Sequence, residues 1–174
     1  MARDEGFAVW LTGLPASGKS TIARALAHEL ETRSTDCAVL ESDELRKVLT
    51  LRPTYSEEER ESFYSQMVYI GTLLAPHGVH VIFDATANRR RYRDAARNHF
   101  AKYIEVYVDT PLDVCMARDP KGIYRRAASG GSVPGLQSEY EPPLNADVLV
   151  RGDTEDADAA ARRIVAVLVE KGYL

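Results

Sequence analysis

Cysteine is scarce in this chain, with only Cys37 and Cys115 among 174 residues. Neither belongs to a C-x-x-C pair, and His28, His77, His80 and His99 show no metal-ligand spacing. A zinc or thiol-redox centre is therefore not indicated. Both cysteines sit in apolar contexts, Cys-Ala-Val-Leu and Asp-Val-Cys-Met, as expected of reduced, buried thiols in a cytoplasmic protein. No apolar run approaches membrane-spanning length. The segment Met1-Ala2-Arg3-Asp4-Glu5-Gly6 is polar and lacks the apolar core of a signal peptide. An excess of positive charge is also missing, since 22 Lys and Arg face 26 Asp and Glu for a net charge of −4. That balance speaks against a nucleic-acid or membrane partner, so any affinity for anions must come from local clusters of Arg and Lys. There is no internal repeat and no low-complexity tract. The length suits one domain spanning 1–174.

What is present is an alternation of short apolar runs with longer helical patterns. Strands are expected over Phe7–Thr12, Cys37–Leu40, Val79–Phe83, Ile104–Val108 and Val148–Val150. Helices are expected over Ser20–Thr32, Glu44–Leu49, Ser56–Leu74, Arg89–Phe100 and Thr154–Glu170, with two short ones around Leu112–Arg118 and Gly122–Ala128. Ile22, Leu26 and Leu30 recur every four residues, the period of one helix face. Ser56-Glu57-Glu58-Glu59 reads as a capping box. Trp10 reads as core. The alternation predicts an α/β fold with about five mainly parallel strands flanked by helices. The Gly-, Pro- and Ser-rich stretch 130–143 is expected to be a functional loop.

Between the first strand and the first helix stands Gly13-Leu14-Pro15-Ala16-Ser17-Gly18-Lys19-Ser20, which matches G-x-x-x-x-G-K-S. Glycines at these places let backbone N–H groups turn inward around phosphate oxygens. Lys19 can reach the β- and γ-phosphates, the Ser20 hydroxyl can ligate Mg²⁺, and the helix N-terminus adds partial positive charge. Gly13, Ala16, Ser17, Gly18, Lys19, Ser20 and Thr21 are thus the expected ATP contacts of a P-loop phosphotransferase. The second strand ends at Glu41-Ser42-Asp43. Ligands of open α/β sheets bind beyond the carboxyl ends of strands. A carboxylate at Asp43 can accept a hydroxyl proton or order Mg²⁺-bound water, although an Asp before a helix also serves as a simple N-cap.

With these residues in view, the sequence resembles the adenylylsulfate kinase (APS kinase) family from Trp10 to about Val150. The resemblance rests on Trp10–Thr21, Glu41–Arg46, Tyr55–Arg60 and Glu105–Cys115, the last running on through Met116-Ala117-Arg118-Asp119-Pro120-Lys121-Gly122-Ile123-Tyr124. It implies MgATP-dependent phosphorylation of the ribose 3′-hydroxyl of adenosine 5′-phosphosulfate (APS) to give PAPS, and it allows a homodimer. By the resemblance Lys19 and Asp43 are catalytic, and Ser20 and Asp43 serve the metal. Arg46 and Arg60 hold the acceptor nucleotide, and Tyr55 stacks near it. Arg118 and Lys121 belong to a mobile lid that contacts ATP. Arg93 also matches a family position on the acceptor side, and Glu41 and Asp84 complete the expected acceptor set.

Several positions depart from the family pattern. Asp-Gly-Asp becomes Glu41-Ser42-Asp43. An Asn and Arg of the long helix are replaced within Ser62-Phe63-Tyr64-Ser65-Gln66. The Ile-Ser-Pro-Phe segment becomes Thr86-Ala87-Asn88-Arg89, which excludes a phosphoserine there, and the Ile-Lys-Gly-Phe element is missing near Ser132–Leu136. In their place stand Arg89, Arg93 and Arg97, spaced to share one helix face. That face is either a substitute anion site beside the acceptor or a solvated basic surface. The departures keep other acceptors open: another anionic nucleotide, a sugar or a nucleic-acid hydroxyl. A non-catalytic ATP-binding regulator is the reading from another class. Which of Glu41, Asp43 and Asp84 is the base also stays open.

Overall fold

The apolar runs form the five expected strands, β1 Ala8–Thr12, β2 Cys37–Glu41, β3 His80–Asp84, β4 Tyr103–Asp109 and β5 Val148–Arg151, in a computed structural model that describes residues 5–174. The polar segment Met1–Asp4 lies outside the described residues. The strands form one wholly parallel sheet in the order β2-β3-β1-β4-β5. Parallel pairing requires helical crossovers that cover both faces, which is why the strands read as continuous apolar runs. The helices are α1 Lys19–Glu31, α2 Ser42–Leu49, α3 Glu57–Leu74, α4 Arg90–Arg97, α5 Leu112–Arg118, α6 Ile123–Ala127 and α7 Ala157–Glu170.

On one face, α1 and α7 bury Ile22, Leu26, Leu30, Ile164, Val165 and Leu168 against Val9, Leu11, Ile104 and Val106. On the other, α3 and α4 bury Phe63, Met67, Tyr92 and Ala96 against Trp10, Val81 and Phe83. Trp10 stacks on Phe83 at 4.7 Å and donates its indole N–H to the Ala85 carbonyl at 3.1 Å, so this core residue also ties β1 to the chain leaving β3. His80 is likewise a packing residue, since its ring stacks on Phe7 at 3.9 Å and accepts the Phe7 N–H. Both cysteines are free thiols. Among the described residues, no helix is long and apolar enough to cross a membrane.

Three helix starts differ from the sequence pattern for local reasons. α7 begins at Ala157 rather than Thr154, because the Asp156 carboxylate accepts the Ala159 N–H at 3.1 Å and caps the helix there. α2 begins at Ser42 with Glu41 as its N-cap residue, so Asp43 falls within the first turn and does not cap it. α3 uses half of its expected capping box. Ser56 accepts the Glu59 N–H at 3.2 Å, but Glu59 turns outward to the N–H groups of Thr54 and Tyr55.

The carboxyl ends of all strands share one edge, with Leu11, Glu41 and Asp84 in register across β1, β3 and β2. The chain leaving β5 supports that edge. Gly152 donates its N–H to the Asp109 carbonyl at 3.1 Å and has no room for a side chain. A β-carbon there would lie 2.3 Å from the Ser17 carbonyl oxygen and 2.3 Å from Thr110 Oγ1. We expect Gly152→Ala to push the phosphate-binding loop out of place. Overpacking of this kind costs about 1–3 kcal/mol, which lowers Tm by roughly 2–4 °C per kcal/mol in a chain of this size. Thermal unfolding and nucleotide titration check this, and unchanged values in both would refute the packing argument.

Candidate active site

The turn after β1 is built by backbone geometry that its sequence permits. Gly13 has φ 152°, and a β-carbon on it would meet the Val108 carbonyl oxygen at 2.4 Å. Gly18 has φ 107° and is the N-cap of α1, so the loop runs straight into a helix N-terminus. Ala16 also adopts positive φ. Inside this loop the Lys19 ammonium donates to the carbonyls of Gly13 at 3.0 Å and Leu14 at 2.8 Å. The Ser17 hydroxyl is buried without a partner.

Three carboxylates approach the loop from neighbouring strand ends. Asp84, at the end of β3, is 3% exposed. Burial pushes its carboxyl above the usual range, against the opposing pull of the Lys19 charge and a hydrogen bond with Ser20. Burial likewise lowers Lys19, against the charges of Asp84 and Asp43. The direction for both is set by desolvation, because each partner only partly compensates the other. Glu41 and Asp43 lie farther out. Lys121, just beyond α5, donates to Asp43 Oδ2 at 2.5 Å and to Glu41 Oε1 at 3.3 Å. Partial burial works against the Lys121 charge, but the two carboxylates outweigh it and raise its pKa. Arg118 donates to the Gly152 carbonyl at 2.8 Å.

These groups line a cavity of about 770 Å³ that takes in Ala16 to Thr21, Glu41, Asp43, Asp84, Arg118 and Lys121. Gly13, also expected to contact ATP, does not line this cavity; its carbonyl accepts from Lys19. A second cavity of about 440 Å³ opens next to it, with Arg46, Tyr55, Arg60 and Tyr64 on one side and Ser132, Val133 and Pro134 on the other. Pro15, Ser42, Asp43, Thr86 and Ile123 line both. Asp43 is the one acidic side chain common to the two.

In the second cavity, Arg46 packs its guanidinium 3.9 Å over the Phe63 ring and 5.0 Å from the Tyr55 ring, and it is ion-paired to Glu59. Arg60 is buried and donates to the Ser132 carbonyl at 2.5 Å. Tyr64 accepts the Ala87 N–H at 3.1 Å. Tyr64, Arg126 and the 132–134 wall were not expected from the sequence to line this cavity. Only the i, i+4 spacing of Tyr64 from Arg60 on α3 could have pointed to the first of them.

The structure does not bring Arg93 into either cavity, and the expected basic face of α4 is not a substitute anion site. Arg93 is 1% exposed, and its guanidinium is spent on Glu105 at 2.6 Å, the Ala87 carbonyl, and the Glu141 carbonyl at 2.6 Å. Arg97 pairs with Glu105 at 3.3 Å, and Arg89 pairs with Glu57, Glu139 and Glu141. A buried guanidinium needs such partners to offset its lost hydration, so acceptors within the protein claim this face.

The hard oxygen donors of the first cavity suit Mg²⁺. Among the described residues no cluster of three or more Asp, Glu, His or Cys forms a metal cage. Mg²⁺ retains waters and takes one or two protein groups together with substrate phosphates, so it needs no such cage.

Comparison with known proteins agrees with this geometry. The sequence model of the adenylylsulphate kinase family matches residues 5–151. The adenylyl-sulfate kinase of Gloeothece citriformis is 38% identical over 174 residues, covering 99% of each chain. That of Myxococcus xanthus is 37% identical, covering 100% of this chain and 97% of its own. The structure of the Mycobacterium tuberculosis APS kinase in complex with AMPPNP and APS superposes with a TM-score of 0.89 at 32% identity, over 95% of this chain and 98% of the other. On a match that takes in both cavities and nearly the whole sequence, the chain belongs to the adenylylsulfate kinase family.

Proposed function

We propose that the protein transfers the γ-phosphoryl group of ATP to the ribose 3′-hydroxyl of adenosine 5′-phosphosulfate, giving PAPS and ADP. The observation that carries this reading is the meeting of two cavities at Asp43, one around the phosphate-binding loop and one lined by arginine and aromatic side chains. Two nucleotides bound there would face each other across a single carboxylate. Their known relative bound to AMPPNP and APS supports the same pairing of donor and acceptor.

ATP occupies the first cavity. Its phosphates draw the loop N–H groups and Lys19, whose ammonium gives up the Gly13 and Leu14 carbonyls for the β- and γ-phosphate oxygens. Ser20 and Asp84, with Asp43 and Glu41 lining the same cavity, are the groups that would hold Mg²⁺. A bound Mg²⁺ would supply charge neutralisation on the phosphates. The burial of Asp84 and its absence from the second cavity support assigning it to the metal rather than to the acceptor.

APS occupies the second cavity. Arg46, Arg60 and Arg126 offer cations to its phosphosulfate, and Tyr55 offers a face to its base. The 3′-oxygen attacks the γ-phosphorus in line, the bond to the β,γ-bridging oxygen breaks, and ADP leaves. Asp43 receives the hydroxyl proton. Of the three carboxylates it alone faces the acceptor, and it is free of any capping duty. Lys121 and Arg118 close over the phosphates, so Lys121 exchanges Asp43 and Glu41 for phosphate oxygens as the site fills. The free thiols of Cys37 and Cys115 support a cytoplasmic setting.

The direct test is to incubate the protein with MgATP and a panel of hydroxyl acceptors (APS, other nucleotides, sugars and oligonucleotides) and identify the product by mass. PAPS formation is expected, and its absence would end the reading. Lys19→Ala should cut turnover by about 100-fold or more, because the transferring group loses its charge partner. Asp43→Asn should lower kcat far more than it weakens ATP binding, since the amide keeps the size but cannot take the proton. A normal kcat in that variant would move the base to Glu41 or Asp84.

Arg46→Ala and Arg60→Ala should each raise KM for APS by about 10-fold or more, the worth of a charge-assisted hydrogen bond. KM for ATP should stay near its starting value in both. Unchanged KM for APS in both variants would show that the second cavity is not the acceptor site.

A further inference from the structure

We propose that residues 139–142 form a strap whose docking on the N-terminus of α4 holds the acceptor wall 132–134 in position, with Glu141 as its positioning residue. The inference rests on the reading of the second cavity as the acceptor site.

Every polar group of Glu141 is used on residues 88–93. Its N–H donates to the Asn88 carbonyl at 2.8 Å, and its own carbonyl accepts from Arg93 at 2.6 Å. Its carboxylate accepts the Arg90 backbone N–H at 2.8 Å and Arg89 Nη1 at 3.3 Å. The Arg90 N–H, with Arg89 and Arg90 adding to it, keeps this carboxyl below its ordinary range, so it is anionic throughout the neutral region. On either side of it, the Glu139 carbonyl accepts from the Asn88 amide at 3.0 Å and the Pro142 carbonyl accepts from Arg90 Nε at 2.7 Å. Tyr140 between them reaches the end of β1, with its hydroxyl 3.0 Å from Thr12 Oγ1, which in turn donates to the Thr86 carbonyl at 2.6 Å.

The wall itself has little internal structure. It is a turn closed by the Gly135 N–H to the Ser138 carbonyl at 2.9 Å and by N–H bonds from Leu136 and Gln137 to the Val133 carbonyl. Toward its N-terminal end, Gln137 Nε2 ties it to the Ala127 carbonyl of α6, a five-residue helix in the segment that carries Lys121. Val133 is buried with Cys115, Tyr124 and Ala127 and packs on Leu14 and Ala16, which fixes the wall toward α5 and α6. The strap is the wall's hydrogen-bonded attachment on the side of β3 and α4. Arg60, an expected acceptor ligand, touches the same wall through the Ser132 carbonyl. A shift of the wall would thus move Arg60 and the cavity's outer side together. None of residues 128–142 lines the ATP cavity, and the wall meets the phosphate-binding loop only through apolar packing on Leu14 and Ala16, so the larger effect falls on the acceptor. The arginines of α4 act on the acceptor indirectly, by gripping the strap.

The experiment is steady-state kinetics with MgATP and APS on Glu141→Ala, Glu141→Gln and the more exposed Arg89→Ala, with Tm measured for each. Glu141→Ala should raise KM for APS about 10-fold, the loss expected of charge-assisted contacts, and leave KM for ATP within roughly 2-fold. Glu141→Gln keeps an oxygen for the Arg90 N–H and should fall nearer the parent. Arg89→Ala should shift KM for APS in the same direction and stands in if Glu141→Ala does not fold. Proteinase K should cut 128–138 faster in the variants than in the parent, a readout that needs no acceptor. Equal rises in both KM values, a lowered Tm with neither KM changed, or unchanged cleavage would overturn the strap. If the parent makes no PAPS, the proposed function fails and cleavage alone decides the strap.

Discussion

A buried ammonium governs the phosphate end of this sheet. Lys19 is 8% exposed and must find oxygen partners even when no phosphate is bound, because an unpaired desolvated charge is too costly to keep. The loop solves this by turning the Gly13 and Leu14 carbonyls onto it. That solution requires the positive φ of Gly13 and Gly18, and it leaves no room for a β-carbon at Gly13 or Gly152. Asp84 faces the same problem with the opposite sign. Burial holds both groups away from their ordinary titration ranges. The pair is primed for a ligand carrying many negative oxygens and a divalent ion, whose charges would relieve both.

Charge pairing then divides the rest of the molecule. Lys121 is held by Asp43 and Glu41 at the cavity around the phosphate-binding loop. The α4 arginines are held by Glu57, Glu105, Glu139 and Glu141 and are lost to ligand binding. Arg46 and Arg60 are half-committed. One rests on aromatic faces with Glu59, and the other leans on a loop carbonyl. A net acidic chain can therefore bind anionic nucleotides, because the few cations that face its cavities matter more than the overall balance.

The departures from the family pattern have different physical weights. Glu41 keeps a carboxylate near Asp43, and Lys121 reaches both. Asp84 adds a buried carboxylate close to Lys19. The missing arginine of α3 is not supplied from α4. Arg126, which lines the second cavity from α6, is the cation available on that side.

Local signals in the sequence were enough to specify the fold and the ATP end of the site. The strand runs, the α1 stripe of Ile22, Leu26 and Leu30, and Gly13–Ser20 are each contained in a few consecutive residues, and their chemistry depends on neighbours along the chain. The acceptor end was legible only in part. Arg46, Tyr55 and Arg60 came from resemblance, and Arg93 came from resemblance and from spacing together. The tertiary structure separates them by position: Arg46, Tyr55 and Arg60 line the second cavity and Arg93 does not. Whether an arginine meets a ligand depends on which carboxylates and carbonyls reach it first. For Arg93 those are Glu105, 12 residues away, and the Glu141 carbonyl, 48 residues away. Such long-range pairings leave no periodic trace in the sequence, so one basic helix face could be read as either a binding site or an anchor until its partners were placed.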